Sequence, residues 1–402
     1  MKLIPVGFIA VLVGCSLVSP LRPQATRTPA RPFWAADARS PEVSSEGRVT
    51  VRLYAPNARE VQVVGFGREP LPLQKDEQGI WSATTDPLAP DLYEYSFLVD
   101  GLRIPDPGNP RVRASYARCT GSLVLVPGDV PWTPVPEAPR GAVTRHVFRS
   151  AVAGDERELY VYTPPGYDPQ RERPYPVLYL LHGLGDDARA WIEVGAANVI
   201  LDTLIHQGKA EPMVMVNPLG YGTADGPADI DREEMLPNFA RILLEEVMPL
   251  VEQRYHVSRQ PAGRAIAGLS MGGGEAVLVG LNHLDQFAWI GSFSGAFNNW
   301  MPTRPPEARR FHAGPFNPEH LRLVTSELPK LFPGLDAGAN QRIRLLWIAC
   351  GTADMLIRVN REFKAYLDSL GIAVRYREIP DVGHVWPLWR RNLAEFVPLL
   401  FK

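Results

Sequence analysis

The sequence predicts an α/β protein: a mostly parallel sheet flanked by helices, preceded by a small all-β sandwich. Three observations carry that prediction. From Gly47 to about Leu125, short β-branched and aromatic runs (RVTVRLYAP, REVQVVGF, GIWSATTDP, LYEYSFLVDG) are separated by Pro, Gly, Asn and Asp, the rhythm of antiparallel strands. From about Arg145, apolar runs of strand length alternate with stretches of helical spacing, the pattern of strands buried on both faces beneath covering helices. Between one such strand and one such helix stands a glycine-rich turn, residues 268–274.

Composition narrows the classes. With 45% hydrophobic and 21% charged residues the chain has the make-up of a folded protein, which excludes wholesale disorder. A net charge of −2 over 402 residues leaves no basic field to hold nucleic acid. Three cysteines are too few for a disulfide scaffold. No apolar run reaches the roughly 18 residues of a spanning helix.

Taken in order, residues 1–15 read as a signal peptide: Lys2, an apolar stretch from Leu3 to Leu12, then Leu12-Val13-Gly14-Cys15. That ending resembles a bacterial lipobox, so Cys15 is expected to become a lipidated N-terminus; the plainer reading is a secretory signal with Cys15 incidental. Residues 16–41, rich in Pro, Arg, Ala and Ser, read as a flexible tether. The sandwich occupies 42–126. Residues 127–141 hold five prolines and read as a stiff spacer between domains, so a chain beginning near Gly141 is expected to keep its turnover of small substrates; the alternative is that the sandwich packs on the hydrolase and only stabilises it, so that its removal lowers Tm and activity together.

The α/β domain is expected over 142–402. Strands are predicted at Tyr160–Tyr162, Val177–Leu181, Met213–Val216, Arg264–Ala267, Ile290–Phe293 and Leu345–Ala349. Helical spacing marks 237–255, a stretch from about Glu275, and the Phe363, Tyr366, Leu367, Leu370 face, which Gly371 is placed to cap. Residues 298–340 read as a Pro-rich insertion. Cys119 and Cys350 could pair outside the cytoplasm, and the sequence leaves that pairing open.

Chemistry concentrates in Gly268-Leu269-Ser270-Met271-Gly272. A GxSxG pattern between strand and helix puts the serine on a sharp turn, its hydroxyl projecting from the sheet and the helix N-terminus favouring developing negative charge. A serine hydroxyl needs a base and an orienting acid, here in the chain order Ser, Asp, His. His384, in the loop before the last helix, is the expected base, whereas His312 and His320 read as loop residues of the insertion. Asp354, just beyond the strand Leu345–Ala349, is the expected acid, with Asp336, Glu378 and Asp381 as rivals. Oxyanion donors are expected at the N–H groups of Met271 and Leu184, the latter in His182-Gly183-Leu184-Gly185, with Gly183 its closest competitor. His182 itself reads as structural.

At these residues the chain resembles a known family. YVYTPPGYD (160–168), YPVLYLLHGLGDD (175–187), RAIAGLSMGGGEA (264–276), IACGTADMLI (348–357) and GHVWPLWRRNL (383–393) are similar to the esterase-D-like branch of the α/β-hydrolases. That branch holds feruloyl esterases, acetylxylan esterases of carbohydrate esterase family 1 and enterochelin esterases. The resemblance covers 145–402 and implies Ser270, Asp354 and His384 as a triad, with Leu184 and Met271 as oxyanion donors. VTVRLYAPNAREVQVVG and LYEYSFLVDGLRIPDPGNP resemble the early-set, immunoglobulin-like sandwich of glycogen-binding and isoamylase-type modules. Its aromatics Trp81, Tyr93 and Tyr95 read as core rather than sugar platforms.

The expected function is therefore an exported serine carboxylesterase of the feruloyl or acetyl-xylan type, acting on small-molecule or polysaccharide-linked esters. Trp191, Trp300, Trp386 and Trp389 are candidates for an aromatic acyl pocket. No metal-ligand spacing is visible and no cofactor is called for. The only expected membrane contact is the lipid on Cys15, in the bacterial envelope (periplasm or outer membrane); failing lipidation, the protein is secreted. A ferric-siderophore esterase is the alternative substrate class, and an inert carbohydrate-binding surface lipoprotein is the non-enzyme alternative.

Overall fold

Alternation along short strands builds the first layer. The computed structural model describes residues 39–113, 115, 121–229, 233–300 and 321–402. Ten short strands open it: β1 (Glu42–Val43), β2 (Val49–Tyr54), β3 (Val61–Gly65), β4 (Arg68–Pro72), β5 (Gln74–Lys75), β6 (Ile80–Thr84), β7 (Asp91–Val99), β8 (Leu102–Ile104), β9 (Val112–Arg113) and β10 (Gly121–Val126). They form two antiparallel sheets, β1-β2-β6-β5 and β4-β3-β7-β10-β9, with β8 on β7. Val49, Val51 and Leu53 of one sheet meet Val61, Val63, Tyr95, Phe97 and Val124 of the other, so every second residue is core. Asp100-Gly101 turns β7 into β8 with both residues at positive φ, which matches the right-handed strand twist. Trp81 and Tyr95 are buried, as their core reading expects.

The second layer is an eight-stranded sheet in the order β11-β12-β14-β13-β15-β16-β17-β18, formed by β11 (Ala142–Arg149), β12 (Glu156–Thr163), β13 (Val177–Leu181), β14 (Val214–Pro218), β15 (Arg264–Leu269), β16 (Trp289–Phe293), β17 (Leu345–Gly351) and β18 (Arg375–Ile379). The pairings from β14 through β18 are parallel, while β11 and β12 run antiparallel to their neighbours. Every residue of β13, β14, β15 and β16 is buried, because helices cover both faces. Those helices are α1 (Ala190–Glu193), α2 (Ala197–His206), α3 (Met235–Arg241), α4 (Met248–Arg254), α5 (Ser270–Asn282), α6 (Leu328–Leu331), α7 (Ile357–Ser369) and α8 (Trp386–Phe396), with a π-helical turn at 242–247 joining α3 to α4. This is the α/β-hydrolase fold behind an all-β sandwich.

The spacer expectation is corrected. The 127–141 segment does not stand clear as a spacer: Trp132 is buried in one apolar cluster with Leu92 and Leu123 of the sandwich and Leu178, Trp191 and Phe396 of the hydrolase. Burying an indole against both layers is worth more than holding them apart. Arg390 of α8, also fully buried, donates to Asp91 Oδ1 (2.6 Å) and to the carbonyls of Leu92 (3.0 Å) and Val194 (2.8 Å). The described part of the Pro-rich insertion is core: Leu321, Leu323, Leu328 and Phe332 pack with Phe363 and Leu367 of α7. Cys350 is buried with a free thiol, while Cys15, Cys119, His312 and His320 lie outside the described residues.

Candidate active site

β15 ends at Leu269 and α5 begins at Ser270, which takes φ +52°, a left-handed conformation costly for any residue with a Cβ. The surroundings hold it there. A Cβ on Gly268 would come within 2.4 Å of Gly272 O, and one on Gly272 within 2.4 Å of His182 O, so only glycine lets the turn close this tightly. Gly272 N–H instead donates to His182 O (3.1 Å), and Ala296 N–H donates to Ser270 O (2.8 Å). The helix thus starts at the serine, not near Glu275: the glycine run is its first turn, with Gly272 packed closely on β13 and Gly273 on Ser292 of β16. Met271, in that turn, has an N–H with no carbonyl available one turn back.

The Ser270 hydroxyl donates to His384 Nε2 at 3.0 Å. On the other side of the ring, Nδ1 meets both Asp354 oxygens, at 2.9 and 3.0 Å. Asp354 is buried, and its Oδ1 also accepts from Leu356 N–H (2.8 Å), which fixes the carboxylate at the end of β17. Trp389 stands edge-to-face on the His384 ring (4.8 Å, 82°). The rival acids are engaged elsewhere. Glu378 pairs with Arg361, whose hydrogen bond draws its carboxyl below the usual range; Asp336 caps a short helical turn through Gly338 N–H; Asp381 is exposed.

The loop after β13 approaches the same spot. Leu184 packs in a small apolar cluster with Met271, Tyr221 and Met235, so the residues of both expected oxyanion donors lie in one cluster. His182 is fully buried; its Nε2 accepts from Gly220 N–H (2.9 Å), which leaves the proton on Nδ1 to reach Gly183 O (2.8 Å). Burial holds its pKa below the ordinary value, so it serves as a neutral bracket for the loop, as its structural reading expects. Tyr221 adds a second bracket, accepting from Gly185 N–H (2.7 Å) and donating to Asp186 O (3.1 Å).

The tryptophans are placed differently from the acyl-pocket expectation. Trp191 is 1% exposed, donates to Leu181 O (2.8 Å) and packs edge-to-face on Trp386. Trp386 packs in turn on Trp389. The three form a buried aromatic stack behind His384 rather than an open wall, because their area supports the base better than solvent does. The Trp300 side chain lies outside the described part.

One group escaped the sequence reading. Glu275 on α5 is 1% exposed, and neither carboxylate oxygen has a hydrogen-bond partner among the described residues. Burial alone pushes its pKa well above the usual value, which keeps it protonated. Its sequence signal was slight, an acid on a helix otherwise apolar all round.

Comparison with known proteins speaks to the family and the fold. The Esterase family model matches residues 150–400, and that of carbohydrate-binding module 48 (isoamylase N-terminal domain) matches residues 38–114. An endo-1,4-beta-xylanase/feruloyl esterase of Xylanibacter ruminicola is 28% identical over 369 residues, 90% of this chain; the chain spans 46% of that relative's length. A CE1 ferulic acid esterase from the anaerobic fungus Anaeromyces mucronatus superposes with a TM-score of 0.54 at 23% identity, covering 68% of this chain and 96% of that one. Enterochelin esterase from Shigella flexneri does so with a TM-score of 0.63 at 19% identity, covering 92% and 97%. At these identities the two structures speak for the fold alone.

Proposed function

Since this chain belongs to the Esterase family of ester hydrolases, we propose that it is an exported serine carboxylesterase, working through an acyl-enzyme on feruloyl or acetyl esters of plant-wall carbohydrate. The observation that carries the mechanism is the unbroken relay from Ser270 Oγ through His384 to the buried Asp354, set on a left-handed serine.

Ser270 Oγ attacks the ester carbonyl carbon as its proton passes to His384 Nε2. Asp354 keeps the Nδ1 proton in place and stabilises the imidazolium that forms. The N–H groups of Met271 and Leu184 receive the oxyanion. Collapse expels the alcohol, which takes the proton from His384 Nε2. Water then enters, gives a proton to the same nitrogen, and attacks the acyl carbon; release of the carboxylic acid returns the proton to Ser270.

The substrate class draws support from the feruloyl esterase activity in the name of the Xylanibacter relative and from the carbohydrate-module match over the sandwich. Export rests on residues 1–15, with Cys15 as the lipid anchor; Cys15→Ala is expected to release active protein from the membrane fraction. A ferric-siderophore ester is the second reading, drawn from the printed activity of an iron(III) enterobactin esterase of Escherichia coli that is 24% identical over 341 residues, 81% of this chain. Methyl ferulate, acetylated xylan, p-nitrophenyl acetate and ferric enterobactin assayed side by side decide among these. Turnover confined to ferric enterobactin overturns the plant-wall reading, and no turnover of any of them overturns the enzyme.

A further inference from the structure

The 183–187 loop is gripped from two directions. Within the hydrolase layer, His182 and Tyr221 hold it as described. The remaining grip comes from the other domain: Arg113, on β9 of the sandwich, pairs through Nη2 with Asp186 Oδ1 and through Nη1 with Glu94 Oε2 (2.5 Å). Two residues on, Ser115 Oγ donates to Gly185 O (2.6 Å). The Arg113 and Asp186 side chains are 12% and 5% exposed, so the pair is sheltered from the screening that makes surface pairs nearly worthless.

We propose that Arg113 is a positioning residue for ester hydrolysis, and that the sandwich is thereby part of the catalytic apparatus, setting the orientation of the Leu184 N–H. This rests on reading the loop as the oxyanion loop. The orientation of an amide N–H follows from the peptide planes around it. Arg113 fixes Asp186 and Ser115 fixes the Gly185 carbonyl, which are the two anchors immediately beyond Leu184. Anchored only from the hydrolase side, the loop could rotate the Leu184 peptide, and a donor displaced by even a fraction of an ångström stabilises a forming oxyanion much less well. A chain beginning near Gly141 therefore loses a part of the site, contrary to what the spacer reading expects.

The test uses the full chain with a short p-nitrophenyl ester, on which sugar binding plays no part. Arg113→Ala is expected to lower kcat by about 10- to 100-fold with little change in KM. Its affinity for a trifluoromethyl ketone, which Ser270 converts to a hemiketal bearing an oxyanion, should fall in parallel. Arg113→Lys should recover part of both. Asp91→Asn, which weakens the same domain contact at a distance from the loop, should lower Tm and leave kcat near wild type. Arg113→Ala with normal kcat and ketone affinity overturns the proposal, whatever its Tm. Should that variant fail to fold, Ser115→Ala and Arg113→Lys carry the same readouts, and unchanged values in both overturn it equally. Gly183→Ala separates this failure from that of the site reading, since a Cβ there would press to 2.6 Å on Leu269 Cδ1 and displace the loop directly. If Gly183→Ala also leaves ketone affinity unchanged, the oxyanion assignment is what fails.

Discussion

Asp354 and Glu275 are buried alike, at 2% and 1% exposure, yet one belongs to a relay and the other has no hydrogen-bond partner among the described residues. The loop beyond β17 surrounds Asp354 with donors, an imidazole and a backbone N–H, which repay the cost of keeping a charge out of water. Helix α5 gives Glu275 no donor bonded to either oxygen among the described residues, and burial pushes its pKa well above the usual value. Depth alone did not decide the charge of either group. What decided it was whether the local backbone delivered donors: a turn with free N–H groups does, and the interior of a helix does not.

The largest expected effect comes from removing the partners that give Asp354 its role. Ser270→Ala and His384→Ala should each lower kcat by about four to six orders of magnitude, and the double variant should be little worse, because the three groups act as a unit. Separate single-variant losses that multiply in the double variant would dissolve the relay. Asp354→Asn comes next, with a loss of about three to four orders. If it retains near-wild-type kcat while Asp381→Asn or Glu378→Gln abolishes turnover, the contrast has been drawn around the wrong acid.

A third buried charge sharpens the comparison. Arg390 is buried and donates three hydrogen bonds, none to a member of the Ser270–His384–Asp354 relay, while its Nε has no partner among the described residues, so its loss should register in stability rather than rate. Arg390→Ala strands the Asp91 carboxylate and is expected to cost about 3–5 kcal/mol in a denaturant titration. Glu275→Gln should give the smallest effect, of opposite sign. Its folded-state pKa lies above the unfolded value, roughly 4.3, so the folded chain holds a proton that the unfolded chain has lost over the interval between them. The stabilisation this proton linkage provides is complete below that value and drains away as pH rises toward the folded pKa. The Gln variant should be more stable at neutral pH and should flatten that slope, with kcat near wild type. A destabilised variant would mean that Glu275 is ionised and paired after all.

Much of the site was legible in the sequence because its chemistry is written locally. Gly268 and Gly272 flank Ser270 within five residues, and the strand before Asp354 and the helix after His384 are marked by their own periodicity. What could not be read depends on contacts between distant segments. Arg113 and Asp186 are separated by 73 residues, and nothing in the texture of either predicts the other. The tryptophans misled for a related reason. An indole's affinity for a ligand ring and for a neighbouring core ring is the same physics, and only the fold says which is offered. The glycine run looked like a turn because glycine favours turns; the structure uses it for closeness inside a helix, where a Cβ on Gly272 would collide with Leu181 of β13 and His182, and one on Gly273 with Ser292 of β16.

The clasp between Arg390 and Asp91 joins positions 299 residues apart. The sandwich strands pair within 39–126 and can assemble as soon as that stretch exists, whereas the clasp must wait for α8, about 260 residues further along the chain than the sandwich. Closing so long a loop adds entropy cost and slows assembly. The order of synthesis thus separates two events: the sandwich can form on its own strands early, and its seating against the hydrolase through this clasp follows only once α8 has emerged. Folding of the sandwich and docking of the sandwich are therefore distinct steps in time, and the clasp belongs to the second.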